Sequence, residues 1–537
     1  MRRFLFLLAI SLWSLTAFDA QAAEYRLDIA RGPVNVTDHS VEKITINGGI
    51  PGPTLRFTDG DEAVIHVSNH LDEATSIHWH GLILPGEMDG VPGFNKFPGI
   101  KPGETFTYRF RLRQTGTYWY HAHSIGQEQD GHYGSIIVAP RGKDPIQTDR
   151  DYVVLLSDFT EEDSGAVMAN LKMASDYYNV ARRTIGDFFD DVKAKGFSKA
   201  WKDTKDWGEM RMSPTDLSDV SGYTFLMNGK SPDQNWTGIF KPGERVRLRF
   251  INASAMSIYD VRIPGLKMTA VQADGQNIEP LKIDEFRFAP AETYDVVVTP
   301  EEDKAYTVAA ESIDRTGFAL GTLATRDGMR DKIPTHRQRA LLTMGDMGSM
   351  MDMENMVMTP EDMKSGWADA GTPKGDKALS YKDLRYAGIQ KDTRDAGRTI
   401  DVRLGGNMER YIWTLNGKKF MDAEPIRLKY GERVRLTFTN ETMMAHPMHL
   451  HGMFVQLENG QPLEKLPNKH TVLVPPGQSY SVLLTADEVG EWAFHCHLLY
   501  HMMSGMMTKV VVAKLGETDM PVQPASDNST SGGSHAH

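Results

Sequence analysis

Residues 431–440 read Gly-Glu-Arg-Val-Arg-Leu-Thr-Phe-Thr-Asn, and residues 243–252 read Gly-Glu-Arg-Val-Arg-Leu-Arg-Phe-Ile-Asn. A weaker copy runs from Gly60 to Asn69 around Val64-Ile65-His66-Val67 and keeps the same step from glycine to asparagine. Apolar and polar residues alternate in each copy, the period of a strand with one buried face. Upstream of the three runs stand Asn47-Gly48, Asn228-Gly229 and Asn416-Gly417, and Gly, Pro and Asn turn residues bracket each unit. The chain therefore repeats one unit three times, and the expected fold is all-β, built of three β-sandwich domains.

The repeat register extends to the histidines. His78 and His80 follow Asn69 at the offsets at which His449 and His451 follow Asn440, whereas Val261 and Ile263 stand at those offsets from Asn252. A second strand repeats as well: Pro102-Gly103 leads to His121-Ala122-His123, Pro476-Gly477 to His495-Cys496-His497, and Pro290-Ala291 to Ala309-Ala310-Glu311. Alternate side chains of a strand share a face. Each His-x-His pair thus puts two imidazoles on one side, and the four pairs of the first and third repeats supply enough ligands for three metal ions. The middle repeat has none and reads as a spacer.

Cys496 is the only cysteine of 537 residues, so it makes no internal disulfide. With His446, His501 and Met506 it completes the thiolate, two imidazoles and thioether of a blue-copper electron-transfer site. In the first repeat the matching positions are Thr75, Ala122 and Gln127, with only His132 at the Met506 offset; no mononuclear copper is expected there, and His132 reads as an ordinary surface or core residue.

Composition bounds the function. A formal net charge of −12 argues against nucleic acid and anionic membranes, and no run past the N-terminus is long and apolar enough to span a bilayer. Arg2-Arg3, the apolar stretch Phe4–Phe18 and Ala20-Gln21-Ala22 form a secretion leader over residues 1–22, with twin arginines that suit export of a folded protein. A secreted chain with one cysteine strengthens the reading of Cys496 as a ligand.

The motifs His78-Trp79-His80-Gly81, His121-Ala122-His123, His446-Pro447-Met448-His449-Leu450-His451-Gly452 and His495-Cys496-His497 with His501 and Met506 resemble the four signatures of the multicopper oxidases. The resemblance implies three cupredoxin-like Greek-key domains over residues 23–145, 146–335 and 396–515. It implies four coppers: type 2 on His78 and His449, a type 3 pair on His80, His121, His123, His451, His495 and His497, and type 1 on His446, Cys496, His501 and Met506. It also implies an acidic residue, Asp89, in proton delivery. Met88-Asp89-Gly90-Val91-Pro92-Gly93, Gly116–His121, Gln127–Gly131 and a methionine-rich insert look like the bacterial copper-resistance protein A group. That likeness implies a periplasmic protein that oxidises Cu(I) with O2. Also expected are a monomer, a periplasmic copper chaperone as partner, and neither nucleic acid nor membrane span.

Three functions are open at this point: a cuprous oxidase, a laccase oxidising small phenols, and a copper-sequestering protein with little turnover. Of the 29 methionines, Met344, Met347, Met350, Met351, Met353, Met356, Met358 and Met363 crowd one stretch of the 336–395 linker. They show no helical or strand period, and thioethers select Cu(I), so extra cuprous ions are expected at 344–363. The remaining histidines, His39, His66, His70, His132, His336, His470, His535 and His537, read as structural or exposed, the last two in a disordered tail over 516–537. Apolar spacing through Leu171, Tyr178, Ile185, Phe188, Phe189 and Val192 predicts helices inserted at about 165–215, a packing device without chemistry.

Overall fold

In the computed structural model, residues 22–209, 213–343, 345–346 and 365–514 are described. The predicted leader except Ala22, the clustered methionines of 344–363 and the tail lie outside them.

The three repeats fold as three sandwiches with one topology. In each, the repeated strand pairs in parallel with the strand that opens its domain: Glu62–Asn69 with Ala22–Val34, Val246–Asn252 with Arg150–Phe159, and Arg433–Asn440 with Arg398–Asn407. These strands build sheets of four, six and six members, and sheets of four, six and five members complete the pairs. Alternation becomes burial in the third domain, where Val434, Leu436 and Phe438 face the core and Arg435, Thr437 and Thr439 are half-buried. In the middle domain Val246, Leu248 and Phe250 also join the core, but the opposite face is covered too, with Arg247, Arg249 and Ile251 buried. All three Asn-Gly pairs have positive φ at both residues, the conformation that two-residue hairpin turns require.

The repeated asparagine has a structural cause. Asn69, Asn252 and Asn440 are fully buried. The Asn440 amide donates to the carbonyls of Met444, Val474 and Pro475 while its Oδ1 accepts from Thr442 N. Asn69 and Asn252 tie down their loops in the same way. The asparagine thus fixes the loop that launches the histidine strand.

Those strands are His78–His80 with Gly116–His121 in the first domain, and His446–Leu450 with Gly490–Cys496 in the third. The registers correspond, with His78 opposite His121 and His449 opposite His495. The middle domain departs by one residue: Val261 pairs with Ala310, not Ala309. The positions equivalent to the His78 strand are therefore shifted, and an Arg262–Glu311 ion pair at 2.7 Å occupies this region.

Helices Ser164–Met173, Ile185–Lys195 and Phe197–Glu209 form the insertion. The first buries Val167, Met168 and Leu171, but the second buries nothing and leaves Ile185 and Phe189 exposed. Among the described residues no helix is long and apolar enough to cross a membrane.

Candidate metal centres

Cys496 ends its strand with its side chain in the third-domain core, fully buried. Its Sγ lies 3.5 Å from His446 Nδ1 and 3.8 Å from His501 Nδ1, and the two Nδ1 atoms are 3.1 Å apart. Donors so spaced fit one ion bonded at about 2.0–2.3 Å. The tautomers are fixed from outside: His446 Nε2 donates to Thr442 Oγ1 at 2.7 Å and His501 Nε2 to Asp219 Oδ2 at 2.7 Å. Both Nδ1 atoms therefore turn lone pairs toward each other and toward sulfur, an arrangement that suits a cation between them. Burial, then His501, pushes His446 well below the ordinary histidine range, and burial pushes the Cys496 thiol up; a metal would hold it as thiolate. Met506 is fully buried, held against this strand by Cys496 N donating to Met506 O and Met506 N donating to His501 O.

The first domain repeats this frame without the ligands. Ala122 N donates to His132 O, and His132 N to Gln127 O, the same two backbone bonds. Thr75 Oγ1 donates to Gln127 Oε1 at 2.7 Å and lies 3.2 Å from His132 Nδ1. The four positions do converge, as a polar core knot with no thiolate; His132 is buried, and burial lowers its pKa to about 3.

The four His-x-His pairs meet between the first and third domains. His80, His121 and His497 form one group of mutually close ring nitrogens and His123, His451 and His495 another, while His78 and His449 lie together with His451. Five of the eight rings are held by a partner on Nδ1. His78 donates to Asp89 O at 2.9 Å, His121 to Ala122 O at 2.9 Å, with Glu128 Oε2 also 2.7 Å from that nitrogen, and His449 to His470 O at 2.7 Å. His451 donates to Asp89 Oδ2 at 2.9 Å and His495 to Cys496 O at 2.9 Å. Nε2 of His78, His80, His121, His449 and His497 is buried without a partner. Outer-shell acceptors that fix the tautomer and leave the second nitrogen bare are the mark of metal-binding histidines. Burial, before the neighbouring rings, depresses His80, His121, His449, His451 and His497, and takes His495 to about 4; all are neutral donors near pH 7. Asp89 is buried and bridges the domains, its Oδ1 also 3.3 Å from His78 Nδ1.

Several neighbours of these sites escape sequence reasoning. Asp219, at the end of the insertion, binds both His501 and the Tyr411 hydroxyl at 2.7 Å, so that segment does touch the chemistry. Trp413 stacks on His501 with centroids 3.9 Å apart. Glu128 carries a carboxyl raised by burial and then Asp158. His470, expected to be structural or exposed, is buried with its ring centroid 4.8 Å from that of His80.

Two cavities adjoin the centres. One of about 650 Å³ is walled by Asp176, Asp216, Glu441, Met408, Trp413 and Met443. Another of about 990 Å³, between the first and third domains, is lined by Phe94, His123, Phe420, Met421, Met502 and Met503 among others.

Three sandwiches whose first and last members share a histidine cluster, beside a Cys–His₂ group with Met506 buried next to it in the chain fold, suit a copper-dependent oxidase. Multicopper oxidase sequence profiles match residues 28–143, 150–327 and 393–515, and the chain belongs to the multicopper oxidase family, oxidoreductases that use one type 1, one type 2 and two type 3 coppers. Its relatives include Copper resistance protein A of Escherichia coli, 46% identical over 92% of this chain and 93% of that protein. The Copper resistance protein A homolog of Pseudomonas syringae pv. tomato is 47% identical over 91% of this chain and 92% of its own. Among solved structures, Fet3p, a multicopper oxidase that functions in iron import, superposes with a TM-score of 0.69 at 20% identity, covering 95% of this chain and 94% of that one; this likeness is one of fold.

Proposed function

We propose that the protein is a cuprous oxidase of the periplasm that protects cells from copper. In this reading His446, Cys496, His501 and Met506 hold type 1 copper, and His78 and His449 hold type 2. His80, His121, His123, His451, His495 and His497 hold the type 3 pair. Copper so placed supplies one-electron exchange at the first site and, with four electrons and four protons, reduction of O2 to two waters at the cluster. The protein's own part is connection and proton handling. Cys496 is bonded through the backbone to both His495 and His497, so the two sites are a few covalent bonds apart. Asp89 touches two imidazoles of the cluster, those of His78 and His451, and is a carboxylate placed to pass protons inward.

One observation carries the choice of Cu(I). The acidic cavity ends one side chain short of the type 1 imidazoles: Trp413, in its wall, stacks on His501, and Thr442, also in the wall, binds His446. Its wall includes carboxylates and the thioethers of Met408 and Met443, donors of which the thioethers suit a soft cation. Burial, then Asp219, raises the Asp216 carboxyl well above the usual range, and Asp216 Oδ1 has no partner; a bound cation satisfies both. A phenol has a second observation in its favour, the larger apolar cavity with Phe94, Phe420 and four methionines.

Oxygen uptake by the copper-loaded protein, driven by Cu(I) or by a bulky phenol, tests the reading on Asp216→Asn with Glu441→Gln. The expected result is a Cu(I) kcat/KM lowered by about tenfold or more with phenol oxidation unchanged. Loss of phenol oxidation alone, or equal loss of both, overturns it.

A further inference from the structure

Neither type 1 imidazole offers an edge to the outside. His446 and His501 are fully buried, and the nitrogen of each ring that turns away from Cys496 is taken, by Thr442 Oγ1 and by Asp219 Oδ2. One face of His501 is covered by Trp413, whose ring centroid lies 3.9 Å away at an interplanar angle of 26°. Trp413 also meets His446 at 71°, with centroids 5.2 Å apart. The same indole is part of the wall of the acidic cavity. It therefore stands between cavity and ligand, in the place that an aromatic donor stacked on His501 would take.

The backbone is arranged to lay the indole there. Trp413 N donates to Ser504 O at 3.3 Å, which ties its strand, Ile412–Leu415, to the turn after His501. Across the sheet Trp413 pairs with Gly406, and a Cβ on Gly406 would stand 2.6 Å from Trp413 Cε3 and 2.8 Å from Cζ3. A larger residue at 406 would push the indole off its place. The corresponding position, three residues before the repeated Asn-Gly, is Ile44 in the first domain and Phe225 in the second, opposite Arg31 and Asp158. Only the domain with the Cys–His₂ group sets a tryptophan against a glycine here.

We propose that Trp413 determines which reductants the acidic cavity serves. Its indole holds the stacking face of His501, so a small cation is oxidised across one side chain while an aromatic donor in this cavity is kept from the ligand. The inference rests on the type 1 reading above and on the acidic cavity as the Cu(I) entry. Removing the indole lets a single-ring phenol take its place. The O–H bond of that phenol breaks, one electron passes to the type 1 copper, the proton leaves to solvent, and a phenoxyl radical is released.

The test compares copper-loaded wild type, Trp413→Phe, Trp413→Leu and Trp413→Ala with a single-ring phenol and with Cu(I) as reductants. Benzene, which fills cavities left by truncated core residues, serves as an unreactive probe. Trp413→Ala is expected to gain about tenfold or more in phenol kcat/KM, Trp413→Leu less, and Trp413→Phe nothing. In Trp413→Ala benzene should shift the blue band and suppress the gained phenol oxidation; in wild type it should leave the band unmoved. No gain in a leucine or alanine variant that keeps its blue band overturns the proposal. So does a gain that benzene leaves untouched, because the phenol then enters elsewhere. Trp413→Leu fills much of the space and carries the test where the alanine variant does not hold its fold. A wild type with a blue band that does not oxidise Cu(I) rejects the cuprous reading, and the phenol comparison still decides the role of Trp413. A wild type without a blue band rejects the type 1 ligands and this proposal with them.

Discussion

Asp89→Asn tests how the cluster is held. The carboxylate accepts from His451 Nδ1 at 2.9 Å through Oδ2, and its Oδ1 stands 3.3 Å from His78 Nδ1, which already donates to the Asp89 carbonyl. An asparagine keeps the shape but has one acceptor. With that oxygen toward His451, its NH₂ faces the His78 N–H, donor against donor. The charge-assisted bond to His451 becomes a neutral one, a change from about 1.5–3 to about 0.5–1.5 kcal/mol. The difference of about 1–1.5 kcal/mol is about tenfold in copper affinity, and lost outer-shell partners generally cost 10–100-fold. The assay is copper per chain after dialysis against graded chelator, followed by oxygen uptake on protein refilled with copper. The variant should release cluster copper about 10–100-fold more readily. If Asp89 also moves protons, kcat stays low after refilling and falls further at high pH. Wild-type retention together with wild-type kcat would refute both roles.

Cys496→Ser should remove the blue absorbance and reduce Cu(I)-driven oxygen uptake to background while the His-x-His cluster keeps its copper; retention of colour and turnover would sink the type 1 assignment. Asp219→Asn removes the negative charge that favours the more oxidised metal, so the potential of the blue site should rise, by up to about 65 mV if the full loss of charge assistance is felt; redox titration of the blue band reads it, and a fall would contradict the hydrogen bond to His501. In copper-free protein, the unfolded chain protonates His132 near pH 6.5 but the folded one only at about 3. Its contribution is therefore complete above about pH 6.5 and lost as pH falls toward 3, at about 1.4 kcal/mol per pH unit. Urea midpoints between pH 4.5 and 7.5 should show a correspondingly shallower acid dependence in His132→Asn.

The convergence of the proposed metal ligands is legible in the sequence because strand geometry leaves little freedom. A His-x-His pair on a period-two strand can only present both rings to one face, and the shared offsets from Asn69 and Asn440 say that two such strands occupy equivalent places. The mononuclear set follows from a lone cysteine in a five-residue frame with His501. What surrounds the ligands was not legible. Asp219 reaches His501 across 282 residues of sequence and Asp274 reaches His470 across 196, and no local pattern marks an aspartate that becomes an imidazole partner only after domains dock. The middle repeat was aligned by counting from turns, and one residue of difference in the connection sufficed to displace Val261 from Ala309 to Ala310. Helical periodicity located the inserted helices but did not tell which faces would be covered; Leu171 packs, whereas Ile185 and Phe189 do not.

The middle repeat, lacking every copper ligand, read as a spacer, and the two long-range aspartates argue otherwise. Asp219 and Asp274 both belong to the central part of the chain, and both act on third-domain histidines from outside the metal pockets. Asp219 Oδ2 accepts from His501 and from Tyr411, so it ties the type 1 ligand to the third-domain wall that carries Trp413. Asp274 Oδ2 accepts two backbone N–H groups at 470–471 and lies 3.2 Å from Lys469 Nζ, whose other partner is Glu292 at 2.6 Å. That network also fixes the carbonyl on which His449 leans. A buried carboxylate is expensive without partners, and Oδ2 of each aspartate finds its third-domain partners only when the second and third domains are docked in register. The same docking sets the tautomer of His501 at the electron port and of His449 at the cluster. The middle domain thus offers none of the proposed ligands but fixes the orientation of histidines at both centres, which gives a physical reason for such a repeat to sit between the two that carry the proposed copper ligands.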